Sequence, residues 1–207
     1  MHKAISCIRC VFWAALLVCF TLTGCSNQRT NAQNIPPTNV APPMTVTNEL
    51  VATPQTNTVV RIKAGLSSSF TDSNGNTWLP DQGFEGGETI DRDPSTSIAG
   101  TKDPGLFLSE HYGMTAFSCK IPNGKYVAKL YFAETFDGIS GPGQRVFSLN
   151  VQGHELKDFD VWAKASGPNQ AYVETVPVEI NDGTFRIVFT SNAENPEINA
   201  IEITPQP

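Results

Sequence analysis

The sequence predicts an all-β fold, an antiparallel β-sandwich, and three observations support this class. Only 16% of the residues are charged, whereas the 207-residue chain contains 16 glycines and 15 prolines, a composition that disfavours long surface helices and coiled coils. From Val59 onward, short runs alternate between apolar and polar residues, as expected for strands with one buried face. Turn residues separate these runs roughly every ten positions, which is typical of stacked antiparallel sheets.

The first 24 residues are predicted to be a signal peptide. Lys3 and Arg9 supply positive charge, and the uncharged run 11–22 suits a signal-peptide core but is short for a bilayer span. The following Leu22-Thr23-Gly24-Cys25 resembles the bacterial lipobox, which implies that Cys25 carries a lipid anchor. We therefore expect an extracytoplasmic protein of the cell envelope. Ser26 resembles the residue found in lipoproteins that are sorted to an outer membrane.

Residues 25–58 are predicted to be a disordered tether. They are rich in Asn, Thr and Pro and lack aromatic residues, so they bury too little apolar surface to fold alone. The folded domain is expected to span residues 59–207. With Cys25 lipidated and the signal removed, Cys119 has no disulfide partner within the chain and is predicted to be a small core residue.

Strands are predicted in order along this domain. In the first, Val60, Ile62 and Ala64 alternate with Arg61 and Lys63. The later alternating runs are 117–121, 125–132, 145–151, 173–180, 185–190 and 198–203.

Two local signals refine these strands. Pro122-Asn123-Gly124 predicts a hairpin between the runs 117–121 and 125–132, because Asn and Gly tolerate positive φ. Pro177 lacks a backbone N–H and therefore predicts an edge strand or a bulge for the run 173–180.

Two long polar segments, 66–109 and 134–144, are expected to hold the functional site, because long ordered loops in compact domains are usually functional. Aromatic rings in such loops can stack on the C–H face of a sugar, while neighbouring polar groups bind its hydroxyls. Five aromatic residues stand among polar ones in the sequence: Trp78, Phe84, Tyr112, Phe136 and Trp162.

Several functional classes find no support in the sequence. The acidic balance, with a formal net charge of −6, disfavours a nucleic-acid partner. His111 and His154 lack the spacing of a zinc site, and neither a nucleophile elbow nor a phosphate-binding loop occurs. We expect no cofactor.

Two acidic patterns leave alternatives open. Glu134, Asp137 and Glu194 include candidates for a glycosidase pair, which requires two carboxylates at a suitable separation. Asp91-Arg92-Asp93 and Asp158-Phe159-Asp160 are dense in oxygen ligands, which suits either calcium or a solvated surface turn.

The order of short motifs through 59–204 resembles the malectin domain family. The matching segments are Arg61-Ile62-Lys63-Ala64-Gly65, Asp72 with Gly75 and Trp78, Thr101 to Phe107, Tyr126 to Glu134, Arg145-Val146-Phe147, Gly153, Asp158-Phe159-Asp160 and Asn195 to Ile203. The resemblance implies a jelly-roll-like sandwich that binds carbohydrate without cleaving it.

The resemblance also implies which residues bind the sugar. Tyr112 and Phe136 correspond to binding aromatics of the family, and Glu194 corresponds to its acidic contact. Asp137 occupies the position at which the animal member of the family has a second aromatic residue. Phe84 is a further aromatic candidate. Asn192 is expected to add hydrogen bonds. Glu134 and Arg145 flank strands and are interpreted as a structural pair across a sheet.

The leading hypothesis is a lipid-anchored carbohydrate-binding module that presents a glycan site at the cell envelope without catalysis. Its first rival is a protein-interaction module that recruits an envelope partner through the same sandwich, by a face or an edge strand. Its second rival is a small glycosidase.

Overall fold

The computed structural model describes residues 58–206. The predicted signal peptide, Cys25 and nearly all of the tether lie outside the described residues. Fourteen strands, one short helix α1 (Val161–Ala165) and a 3-10 turn (Pro104–Leu106) make up the described part. The strands are β1 (Val60–Lys63), β2 (Phe70–Thr71), β3 (Thr77–Trp78), β4 (Phe84–Glu85), β5 (Glu88–Asp91), β6 (Ser109–Tyr112), β7 (Ala116–Lys120), β8 (Gly124–Phe132), β9 (Val146–Val151), β10 (His154–Phe159), β11 (Tyr172–Ile180), β12 (Thr184–Ala193), β13 (Glu197–Ile198) and β14 (Ala200–Pro205).

Two antiparallel sheets form the sandwich. One has the strand order β1-β14-β8-β11, and the other has the order β10-β9-β12-β7-β4. The chain crosses between them at the β7–β8, β8–β9, β10–β11 and β11–β12 connections. A three-stranded sheet, β13-β6-β5, and the pair β2-β3 lie outside the two main sheets. The predicted all-β, jelly-roll-like sandwich is confirmed.

The core lies between the inner faces of the two main sheets. Alternate residues of β8 point inward, and Tyr126, Ala128, Leu130 and Phe132 are fully buried, as their period of two requires. An aromatic cluster closes one end, where the Phe132 ring lies 4.9 Å from that of Phe159. Each fully buried aromatic or aliphatic side chain stabilises the fold by about 1.5–3 kcal/mol.

The hairpin predicted at Pro122-Asn123-Gly124 is wrong, because β7 and β8 belong to different sheets. The turn carries the chain across the sandwich. Asn123 fixes this crossing, since its Oδ1 accepts a hydrogen bond from Gly183 N at 2.7 Å and its Nδ2 donates to Asn181 O at 3.0 Å. These partners lie in the β11–β12 connection, so two neighbouring turns that both change sheets support each other. The edge position predicted for Pro177 is confirmed, because β11 ends its sheet.

Lys63 is fully buried, although it occupies a polar position in the alternation of β1. Its Nζ lies within hydrogen-bond distance of four oxygens, which share its three N–H donors: the carbonyl oxygens of Ala64 at 2.7 Å, Ser109 at 2.8 Å and Asn199 at 3.0 Å, and the Ser109 hydroxyl. The ammonium therefore joins β1, β6 and the link between β13 and β14. Burial lowers the pKa of Lys63 to about 7, against the raising effect of nearby carboxylates including Asp91.

Candidate functional site

A pocket of about 160 Å³ opens where the three-stranded sheet meets the loop after β8 and the end of β12. Sheet residues and loop residues both contribute to its wall. The lining residues are Ile90, Arg92, Glu110, Tyr112, Phe136, Arg145, Glu194 and Asn195. Two aromatic rings, two guanidinium groups and two carboxylates therefore share one concave surface.

Tyr112 ends β6 and brings its ring to the pocket. Its backbone is fixed on both sides, because it pairs with Glu88 of β5 and Glu197 of β13. Its hydroxyl donates to Glu88 Oε2 at 2.9 Å, and this hydrogen bond raises the pKa of Tyr112. The ring is thus oriented before any ligand arrives.

Phe136 presents an exposed aromatic surface, with 43% of the residue accessible to solvent. Its amide donates to Glu134 Oε1 at 3.1 Å, which ties the loop to the end of β8. The ring lies against Gly138, where a Cβ would overlap it. An exposed ring held this firmly is suited to stacking against a ligand.

Arg92 and Arg145 flank the Phe136 ring, each with its guanidinium carbon 6.0 Å from the ring centroid. Arg92 Nη2 donates to Glu110 Oε1 at 2.8 Å, and its Nε donates to Thr135 Oγ1 at 3.1 Å. Nearby carboxylates hold the pKa of Arg145 above its usual value although burial lowers it.

Arg145 forms a buried ion pair with Glu134. Its Nε lies 2.8 Å from Glu134 Oε2, with side-chain exposures of 4% and 1%. Its Nη1 donates to Asn195 O at 2.7 Å, which anchors the loop after β12. The predicted pairing of Glu134 with Arg145 is present, and Arg145 in addition lines the pocket.

Glu194 extends an exposed carboxylate to the pocket rim from a left-handed backbone conformation, with φ of 60°. This conformation is uncommon for a residue other than glycine. It is held locally, since the Ser191 hydroxyl donates to Glu194 O. The backbone and side-chain nitrogens of Asn195 both lie 3.1 Å from Glu194 Oε1.

Glu197 lies fully buried in β13, where its backbone pairs with that of Tyr112 in the pocket wall. Both of its carboxylate oxygens lack a hydrogen-bond partner within residues 58–206. Burial, reinforced by the charges of Glu110 and Glu134, raises its pKa well above the usual value, although Arg145 and Arg92 oppose this. Burial also raises the pKa of Glu134, against the effect of Arg145.

The structure brings three of the six predicted sugar-binding residues together. Tyr112, Phe136 and Glu194 line the pocket. Asp137 lies exposed in the loop beside Phe136 and does not line the pocket.

Phe84 and Asn192 lie elsewhere. The Phe84 ring stacks on His111 at a centroid distance of 4.3 Å and packs on the core. Asn192 Nδ2 donates to Asp158 Oδ1 at 2.8 Å, and both residues line a separate groove on the β10-β9-β12 sheet. Neither residue contributes to the wall that carries Tyr112.

The remaining residues singled out in the sequence take part in the structure away from the pocket. Trp78 is buried, and its Nε1 donates to Asp72 Oδ2 at 3.0 Å. Trp162 lies in α1, whose first turn is capped by Asp160, since Asp160 Oδ1 accepts from Ala163 N at 2.9 Å. Half-buried Cys119 packs on the core, and burial raises its pKa to about 11.

Within residues 58–206, no group of three or more His, Cys, Asp or Glu side chains is arranged to hold a metal ion. In the same part of the chain, every helix is too short or too polar to cross a membrane.

Sequence reasoning missed Arg92 and gave Arg145 a structural role only. Both arginines reach the pocket through partners that lie far away in sequence: Arg92 pairs with a residue 18 positions on, and Arg145 bonds a carbonyl 50 positions on. Single arginines beside strands carry no signal of such pairing.

Comparisons with known proteins identify the family. The malectin domain model matches residues 58–201. Malectin-B of Xenopus laevis is 33% identical to the chain over 90 residues, which cover 42% of this chain and 32% of that protein. The fold is similar to Bacteroides uniformis β-glucuronidase, with a TM-score of 0.65 and 21% identity over 72% of this chain and 18% of that one. It is also similar to a chain in the crystal structure of the plant peptide RALF23 in complex with FER and LLG2, with a TM-score of 0.61 and 18% identity over 71% and 48% of the two chains.

The chain thus spans about a third of the length of Malectin-B and less than half of each structural neighbour. The two structural similarities concern the fold. The family model covers more than half of the chain and almost all of the sandwich. This chain therefore belongs to the malectin domain family.

Proposed function

We propose that residues 59–207 form a non-catalytic carbohydrate-binding module whose ligand occupies the pocket between Tyr112 and Phe136. The observation that carries the proposal is the composition of the pocket wall, where two preoriented aromatic rings lie beside charged donors and acceptors. Sugars have both an apolar C–H face and a ring of hydroxyl groups, and this wall is complementary to both. Membership in the malectin domain family supports the same class.

Binding would combine stacking with hydrogen bonds. The exposed face of Phe136 and the ring of Tyr112 supply the stacking surfaces, at roughly 0.5–1.5 kcal/mol for an aromatic contact. The Glu194 carboxylate at the pocket rim accepts hydrogen bonds from hydroxyls. The exposed Asp137, next to Phe136 in the loop after β8, is a further acceptor for a part of the ligand that extends beyond the pocket. Such contacts sum to weak affinity, of the order of micromolar to millimolar Kd, which several copies on one surface would strengthen.

A glycan array probed with the purified full chain, followed by calorimetry on each hit, tests the proposal. Phe136→Ala and Tyr112→Ala should each weaken binding by roughly two- to tenfold, because each removes a stacking surface that contributes roughly 0.5–1.5 kcal/mol. Tyr172→Ala is the matched control: Tyr172 is half-buried on β11 and does not line the pocket. Binding retained by folded Phe136 and Tyr112 variants would refute this site.

The proposal includes lipid anchoring through Cys25 and display at the cell envelope. Its support is the sequence pattern at residues 22–25. Mass spectrometry of the N-terminal peptide should find acyl chains on Cys25 in the wild type and none in Cys25→Ser. An unmodified cysteine in the wild type would exclude the anchor.

A protein-interaction module is the second candidate. One structural neighbour comes from a complex with a plant peptide, and Leu79, which forms an isolated β-bridge with Ile62 at the outer side of β1, exposes its apolar side chain. Pull-down from envelope extract with and without excess glycan separates the two functions. If excess glycan prevents the capture of the partner, the result supports sugar binding. If excess glycan has no effect on the capture, the result supports a protein partner.

A glycosidase finds less support in the geometry. Glu134 is buried, and both of its oxygens are engaged, one by Arg145 and one by the Phe136 amide. The similar β-glucuronidase matches this chain over only 18% of its own length. We expect no product from any glycan that the module binds; turnover that Glu194→Gln abolishes would restore the enzyme hypothesis.

A further inference from the structure

We infer that Glu110 is a specificity-determining residue that makes the pocket select neutral glycans over acidic ones. This inference rests on the proposed carbohydrate-binding function. The pocket wall contains two guanidinium groups, which the sequence patterns did not reveal. Arginine pairs commonly recognise carboxylates, so the pocket looks at first like a site for acidic sugars. The partners of the arginines reverse that expectation.

Each pocket arginine is already matched by a buried carboxylate. Arg92 lies 2.8 Å from Glu110, whose side chain is 3% exposed, and Arg145 lies 2.8 Å from Glu134, whose side chain is 1% exposed. The second oxygen of Glu110 accepts from Thr135 Oγ1 at 3.0 Å, so this carboxylate is fixed. Glu110 itself lines the pocket, which places its negative charge in the wall beside the ligand position.

The arginines still retain donors for a ligand. A guanidinium has five N–H groups, and within residues 58–206 Arg92 Nη1 and Arg145 Nη2 have no hydrogen-bond partner. Both nitrogens remain accessible to solvent. These groups can donate to hydroxyl oxygens while their charge is neutralised from behind.

The rim adds negative charge. Glu194 is exposed on the pocket edge, and Glu88 holds the hydroxyl of Tyr112 at 2.9 Å. Two carboxylates and two guanidiniums line the pocket, and Glu134 behind Arg145 and Glu88 at the Tyr112 hydroxyl bring the carboxylates around it to four. These carboxylates would repel the carboxylate of a uronic acid. The uronic acid would also lose its hydration shell, and no unpaired cation in the pocket would compensate for that loss. A neutral sugar meets donors and acceptors only.

The test compares matched ligands and matched variants of the full chain. The probes are printed neutral oligosaccharides and the uronic-acid counterpart of each, in which a carboxylate replaces the C6 hydroxymethyl group. Glu110→Gln keeps the shape of the side chain but leaves the charge of Arg92 unbalanced. Glu202→Gln is the control, because it breaks a similar pair, with Arg61 at 2.7 Å and side-chain exposures of 22% and 10%, away from the pocket.

The wild type should bind a neutral member at least tenfold more tightly than its uronic-acid counterpart. Glu110→Gln should shift this ratio toward the acid by about tenfold at low salt, as expected for one unbalanced charge close to the ligand, and added salt should reduce the shift. Glu202→Gln should leave the ratio unchanged. Loss of stability alone does not move a ratio between two ligands.

Glu194→Gln provides a second variant if Glu110→Gln does not fold, since Glu194 is exposed, and it should move the ratio in the same direction. A wild type that prefers uronic acids would overturn the inference, as would a folded Glu110→Gln chain with an unchanged ratio. Absence of binding to every printed glycan would overturn the proposed function itself, and the inference with it. The two failures are therefore distinguishable.

Discussion

Breaking the ion pair between Glu134 and Arg145 should destabilise the domain far more than breaking an ion pair on its surface. The two side chains are 1% and 4% exposed, and their closest atoms lie 2.8 Å apart. Glu134→Gln preserves the shape of the side chain but removes the counter-charge of a buried guanidinium. Removing one partner of a buried pair costs about 3–5 kcal/mol. Because Glu197 remains near Arg145, we expect a loss of about 3 kcal/mol.

Urea unfolding followed by tryptophan fluorescence measures this loss. The matched control is Glu155→Gln, which breaks a pair with Lys157 at 3.2 Å in which the side chains are 58% and 74% exposed. Exposed pairs contribute about 0–1 kcal/mol, so the control should unfold almost as the wild type does. If the two variants lose stability to within 1 kcal/mol of each other, the assignment of Glu134 as a buried structural anchor of the pocket is refuted.

Three further predictions concern the loops and the buried charges. Although burial raises the pKa of Asp72, the hydrogen bonds that it accepts lower it to about 2. Asp72→Asn should therefore lower the free energy of unfolding by about 1 kcal/mol above pH 4, after allowance for solvent screening. Urea titrations should show this difference vanishing as the pH falls toward 2. The raised pKa of Glu197 makes the wild type lose stability as the pH rises above about 4.5, so Glu197→Gln should reduce the difference in Tm between pH 5 and pH 8. Gly65 has φ of 84°, and a Cβ there would lie 2.6 Å from Glu110 N, whereas Gly75 has φ of 79° and no atom near its Cβ position. In urea unfolding, Gly65→Ala should therefore lower the free energy of unfolding by more than about 2 kcal/mol, and Gly75→Ala by only about 1–2 kcal/mol.

The strands were predictable because successive side chains of a strand point to opposite faces, so that apolar residues at every second position mark the buried face. In β8 and β9, each inward residue of the sequence pattern is buried in the core. The turn at Asn123 shows the limit of this reasoning. Turn chemistry determines where a chain reverses, but tertiary packing decides whether the two strands pair in one sheet or face each other across the core.

The buried Lys63 shows a second limit. Its polar position in β1 is covered by β6 and by the link between β13 and β14, whose contacting residues lie 46 and 136 positions away along the chain. Alternation reports the two faces of a sheet, and it does not report which face receives a second layer.

The site was only partly predictable for a similar reason. Tyr112, Phe136 and Glu194 were assigned from motif order and share one pocket. Phe84 and Asn192 have the same residue types as sugar contacts, yet they lie in other surroundings. The arginines depend on distant carboxylates, and residue type alone does not reveal which charge is already paired.

A crystal structure of the full chain with the strongest glycan from the array is the decisive test of sugar binding between Tyr112 and Phe136. We expect a sugar ring in the pocket, in contact with both aromatic rings, with hydroxyl groups hydrogen-bonded to Glu194. A sugar bound in the separate groove beside Asn192, or elsewhere on the sandwich, would refute the proposed site.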